Sequence, residues 1–91
     1  MSDFSRPIVI TNKLGLHARA ATKLAQLTQQ FEAKVTIELH DKQVDASSIM
    51  GLMLLAGSQG KTVTVHTDGP DAKQAMDEVC QLFTNKFDEE E

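Results

Sequence analysis

The sequence predicts a two-layer α+β fold, a four-stranded antiparallel sheet with three helices packed on one face. Three observations carry this prediction. The elements run strand, helix, strand, strand, helix, strand, helix. Residues 34–39 and 61–67 alternate apolar and polar side chains, the mark of antiparallel strands with one wet face. The first and last helices each carry a single apolar stripe, so each buries one side against one layer.

The elements follow in chain order. Pro7-Ile8-Val9-Ile10-Thr11 is short and rich in β-branched residues, which predicts a strand. Asn12 to Leu16 reads as a loop. From Ala18, the residues Ala20, Leu24, Leu27 and Phe31 fall at i, i+4, i+7 and i+11, one stripe of a helix ending near Gln30. In Lys34 to Leu39, Val35, Ile37 and Leu39 face one side and Thr36 and Glu38 the other. His40-Asp41-Lys42 reads as a turn, and Gln43 to Ala46 as the return strand of a hairpin. Ser47-Ser48 offers capping hydroxyls before the short apolar helix Ile49 to Leu55. Gly57-Ser58-Gln59-Gly60 closes that helix, and Lys61 to Thr67 forms the last strand. Asp68-Gly69-Pro70-Asp71 turns into a final helix whose stripe is Ala72, Met76, Val79 and Phe83. Cys80 lies beside this stripe, which suits a buried structural thiol.

The 91 residues read as one domain, with no repeat, linker or internal boundary. The run Asp88-Glu89-Glu90-Glu91 reads as a frayed, solubilising tail. A single cysteine excludes an internal disulfide framework and suits a reducing compartment. The first residues hold no basic stretch followed by an apolar run, and no apolar run is long enough to cross a bilayer, so a cytoplasmic protein without membrane insertion is expected. The formal charge of −4 argues against nucleic acid as a partner. The aromatic content agrees, since all four aromatics are Phe and none falls in a predicted strand. His17, His40 and His66 show no i, i+4 pairing and Cys80 has no nearby cysteine, so no metal site is expected.

The chemistry concentrates at Gly15-Leu16-His17-Ala18-Arg19-Ala20-Ala21. Gly15 turns the chain, and the residues from Ala18 onward favour helix, so His17 stands at a helix start. Backbone N–H groups without helical partners and the positive end of the macrodipole meet there. A phosphoryl group fits such a place, with Arg19 as a second cationic contact. The same positive surroundings favour an imidazole with an available lone pair, which is what a phosphoryl-accepting nucleophile needs. A different class of protein uses the same feature without chemistry. A ferredoxin-like regulatory domain, which shares the order of elements, would bind a small anion at this helix end and need no nucleophile.

Gly15-Leu16-His17-Ala18-Arg19-Ala20-Ala21, followed by Ser48-Ile49-Met50-Gly51-Leu52-Met53, resembles HPr, the histidine-containing phosphocarrier family of the bacterial phosphotransferase system. The resemblance spans nearly the whole chain. The stretch Ile10 to Arg19 and the ending Phe87-Asp88-Glu89 look most like its nitrogen-related branch, NPr. The family fold is an open-faced β-sandwich. By the resemblance, His17 matches the histidine phosphorylated on Nδ1, and Arg19 matches the arginine that steadies the phosphoryl group. The backbone amides of Ala18 and Arg19 match the donors that hold it. Ser48 matches a serine modified by a regulatory kinase in some members. Ile49, Met50 and Met53 match a partner surface around His17.

The implied function is a monomeric carrier in a relay rather than a stand-alone enzyme. It takes a phosphoryl group from enzyme I and passes it to a IIA-type protein, with no cofactor. Two residues depart from the family pattern. Ala20 stands where proline is usual, which implies a slightly less rigid helix start. Ser47 stands where kinase-regulated members carry lysine, and Ser48 is adequately explained as a cap.

Overall fold

The computed structural model describes residues 3–88. The elements are β1 (Asp3–Val9), α1 (Ala18–Thr28), β2 (Lys34–Leu39), β3 (Lys42–Asp45), α2 (Ile49–Leu54), β4 (Thr62–Asp68) and α3 (Ala72–Thr84), in the expected order. The four strands form one sheet in the order β1-β4-β2-β3, with every pairing antiparallel. β1 and β2 therefore run parallel to each other with β4 between them. α3 packs across β1 and β4, and α1 lies against both α2 and α3.

The alternation read from the sequence sets the two faces. Val35, Ile37 and Leu39 of β2 and Val63 and Val65 of β4 are buried beneath the helices. Ala20 and Leu24 of α1 and Met76, Val79 and Phe83 of α3 close over them. Thr67 is buried in the same layer, and its hydroxyl donates to the Ala72 carbonyl at 2.9 Å. That bond removes the cost of burying a lone hydroxyl. Cys80 is buried, and burial pushes its thiol above the ordinary cysteine range, so it sits as an inert core group. Asp71 occupies the N-cap of α3, but its side chain makes no capping bond there. Its carboxylate accepts from the Glu32 and Ala33 amides at 3.0 and 2.8 Å and so ties the α1–β2 connection to the start of α3.

Several expectations need correction. β1 begins at Asp3, four residues before the predicted start, and pairs with β4 from Asp3↔Asp68 to Val9↔Thr62. Residues 3–7 are all exposed on this edge strand, so they carry no apolar alternation to read. Pro7 fits because an edge strand tolerates a residue without an N–H. Phe4 consequently lies in a strand, contrary to the expectation that no aromatic does. It pairs with buried Thr67 and shares the helix-covered side with Ile8, so the open face of the sheet carries no aromatic from β1. The hairpin turn is also tighter than predicted. It consists of His40 and Asp41 alone, with His40 at φ 56°, and β3 starts one residue early. α2 correspondingly ends one residue early, at Leu54.

The acidic run also departs from expectation. Asp88 is not frayed. Lys86, Phe87 and Asp88 turn the chain back with φ of 55°, 55° and 64°. Phe87 is fully buried edge-on to Phe83, with ring centroids 4.8 Å apart. Lys23 holds the turn, donating to the Phe87 carbonyl at 3.0 Å and meeting the Asp88 carboxylate at 3.3 Å. Glu89, Glu90 and Glu91 lie outside the described residues.

Candidate functional site

The site is built on the segment between β1 and α1. Ile10 anchors its start through bonds to Lys61 and Gly60 at 2.9 and 2.8 Å. The Gln59 amide donates to the Thr11 carbonyl at 3.1 Å. Gly15 adopts φ 64°, and a Cβ there would run into the Gly57 carbonyl oxygen, so only glycine fits. Leu16 is buried and donates its N–H to the Gly57 carbonyl at 2.8 Å. Asn12, also fully buried, donates from Nδ2 to the Gly15 carbonyl at 2.8 Å. The loop is thus pinned between the β1 end and the α2–β4 connection.

This scaffold presents His17 as the N-cap of α1, in an extended conformation with φ −78° and ψ −179°. Its carbonyl accepts the Ala21 N–H at 2.9 Å, and its imidazole Nδ1 accepts the Arg19 N–H at 3.2 Å. Ser, Thr, Asn or Asp usually fills this role. An imidazole does so here because Nδ1 is two bonds from Cβ and reaches the first-turn amides as a short oxygen would. A nitrogen that accepts a hydrogen bond carries no proton, so a neutral ring in this geometry is the Nε2–H tautomer. His17 is half-buried, while Ala18 and Arg19 are exposed on the first turn. The arrangement offers a lone pair on Nδ1 and helix-end amides beside it, with Arg19 exposed on the same first turn.

α2 lies beside α1, and Ser48 caps it, accepting the Gly51 N–H at 3.0 Å. α2 buries only Leu52. Ile49, Met50 and Met53, singled out from the sequence, are exposed by 41%, 68% and 43%. Sequence reasoning missed two further members of this apolar surface, Leu54 on α2 and Leu14 in the His17 loop, both more than 60% exposed. A signal existed for each. A six-residue helix buries one side only, and the loop before His17 holds two leucines, Leu14 and Leu16, of which only Leu16 is buried. Asn12 and Gly57 were also missed as supports of the loop, because their partners are distant in sequence or lie on the backbone.

The other histidines stand elsewhere. His40 occupies the β2–β3 turn. His66 lies on the open sheet face, 2.7 Å from both the Ser5 hydroxyl and a Glu38 carboxylate oxygen. Among the described residues no group of three or more His, Cys, Asp or Glu could hold a metal ion, and no helix is long and apolar enough to cross a membrane.

Residues 4–85 match the family model described as the PTS HPr component phosphorylation site. The chain belongs to the HPr family of the phosphotransferase system. Among HPr relatives, the phosphocarrier protein HPr of Cupriavidus necator is 52% identical over 94% of this chain and 97% of its own length. The phosphocarrier protein NPr of Shewanella violacea is 48% identical, covering 98% of both. HPr crystal structures share the fold. That of an HPr from Thermoanaerobacter tengcongensis superposes with TM-score 0.89 at 38% identity over 100% of both chains. That of an HPr from Bacillus anthracis gives TM-score 0.84 at 34% identity, covering 89% of this chain and 96% of its own.

Proposed function

We propose that this chain is a phosphohistidine carrier, taking a phosphoryl group on His17 Nδ1 from enzyme I and passing it to a IIA-type protein. The observation that carries this reading is the His17 N-cap, in which Nδ1 and the Arg19 amide already face each other at 3.2 Å. The Nδ1 lone pair attacks phosphorus, and the donor's histidine nitrogen leaves with its bonding pair. Once Nδ1 is bonded to phosphorus it no longer accepts from the Arg19 N–H. That donor turns to a phosphoryl oxygen instead, as does the Ala18 N–H. The helix end keeps a capping acceptor in both states, so loading and unloading cost little reorganisation. Arg19 adds a mobile positive charge that balances the phosphoryl group in either direction.

The test is incubation with phosphoenolpyruvate and enzyme I. Wild type takes up an acid-labile, base-stable phosphoryl group, and His17→Ala takes up none. Phosphate uptake by His17→Ala would sink the assignment. Binding of free phosphate without any covalent uptake by wild type would favour the anion-sensing reading. The finer proposal is the nitrogen-related branch, supported by the stretch Ile10 to Arg19 and the Phe87-Asp88-Glu89 ending. Phosphorylated protein offered a nitrogen-related and a sugar-specific IIA acceptor in competition should load the former first, and the reverse preference would overturn it.

A further inference from the structure

The peptide unit joining Gly15 to Leu16 is gripped at both edges. Its carbonyl oxygen accepts from Asn12 Nδ2, and its N–H donates to the Gly57 carbonyl, each at 2.8 Å. A planar peptide swings only through ψ of Gly15 and φ of Leu16, and a swing in either sense carries the C=O and the N–H together off their two partners. This matters because Gly15 is the residue of the loop with the widest conformational freedom, and His17 follows two residues later. The direction of this plane sets where the chain delivers the His17 Cα, and hence how Nδ1 meets the Arg19 amide.

We infer that Asn12 is a positioning residue for His17, its buried primary amide fixing the Gly15–Leu16 peptide plane that aims the imidazole. The inference rests on the carrier reading above. The chemistry requires an N–H at this position. An aspartate has the same shape, yet its ionised carboxylate offers no donor and sets an oxygen against the Gly15 carbonyl oxygen. Protonated, the same aspartic acid regains an O–H that can donate. Leucine, alanine or valine would leave the Gly15 carbonyl without its partner. A substitution at the other grip is uninformative, because the Gly57 acceptor is a backbone atom.

The test uses the full chain with Asn12→Ala and Asn12→Asp. Phosphoryl uptake from enzyme I is measured as a maximal single-turnover rate and a half-saturating enzyme I concentration, with a urea melt and imidazole 15N shifts of His17 alongside. Positioning predicts a roughly tenfold lower maximal rate for Asn12→Ala with an unchanged half-saturating concentration, since reacting-atom geometry is lost and the docking surface is not. It predicts displaced His17 15N and Arg19 amide shifts in protein that still melts cooperatively. Asn12→Asp should recover rate relative to Asn12→Ala as the pH is lowered and its carboxyl is protonated. Wild-type rates in either folded variant, or a loss confined to half-saturation, would overturn the inference. If Asn12→Ala does not fold, the pH profile of Asn12→Asp decides alone, and a flat profile relative to wild type counts against it. If wild type itself takes no phosphoryl group, the carrier reading fails, and the His17 shifts still report whether Asn12 aims the ring.

Discussion

His17 caps α1 through Nδ1, and in the proposed carrier the same nitrogen is the nucleophile, which sets what its neighbours must do. Arg19 contributes an amide to the cap and an exposed guanidinium to the surroundings. Arg19→Ala should therefore slow phosphoryl transfer while leaving the thermal melt in place, because no packing is lost. Arg19→Lys should restore only part of the rate, since an ammonium lacks the planar fork. Wild-type transfer rates in folded Arg19→Ala would remove the side chain from the chemistry. Gly15 is the least forgiving residue of the loop. Gly15→Ala combines a positive φ with a Cβ driven into the Gly57 carbonyl and should lose at least ~2 kcal/mol in a denaturant melt. His17 and Arg19 were legible in the sequence because a helix start is signalled locally, by glycine and then by helix formers. Asn12 was not, because an asparagine beside a strand reads as an ordinary turn residue until its burial is known.

Secondary structural elements here are held at their ends by short polar contacts. Ser48 caps α2, and Ser48→Ala should lower stability by about 1 kcal/mol, read in a urea melt, with His17 phosphorylation intact. Immediately before it, the Asp45 carboxylate accepts both the Ser47 N–H and O–H, at 2.8 and 2.6 Å. These bonds hold the Asp45 carboxyl below its ordinary range. A folded-state value below the unfolded one adds stability that is complete above the ordinary carboxylate range and disappears as pH falls through the depressed value. Ser47→Ala should therefore destabilise the protein at neutral pH and converge with wild type in acid. Parallel stability curves at all pH values would refute this account. The helices and β2 and β4 were legible because their stripes and alternation are strong. The first half of β1 was not, since an edge strand exposed along residues 3–7 is held by its ladder to β4 and by Ser5, bridged through His66 to Glu38 across three strands.

On the scale of the whole molecule, most of the exposed large apolar residues among those described stand on α2 and in the loop before α1. Met50 and Leu54 on α2 and Leu14 in the adjoining loop are the most exposed large apolar residues among those described. Such residues suit a surface that meets more than one partner in turn. Met50→Glu should weaken binding to both enzyme I and the IIA-type acceptor by about 1–2 kcal/mol, while the melting temperature stays put because the residue is exposed. Unchanged affinity for both proteins would show that this surface takes no part in docking. That the second helix was too apolar for its length could be read from the sequence, but which of its residues escaped burial depended on the position of α1. The strand order has a separate consequence for how the molecule comes into being. β4 is encoded late yet lies between β1 and β2, and β1 has no other strand partner. A chain emerging from the ribosome can close the β2–β3 hairpin early, but β1 must wait as an unpaired strand until residue 68 is clear of the exit tunnel. The loop between β1 and α1, which leans on residues 57–61, waits with it. Assembly of the sheet is thus gated by β4, and nascent chains halted before it should be open to protease along β1 and the loop that leads to α1.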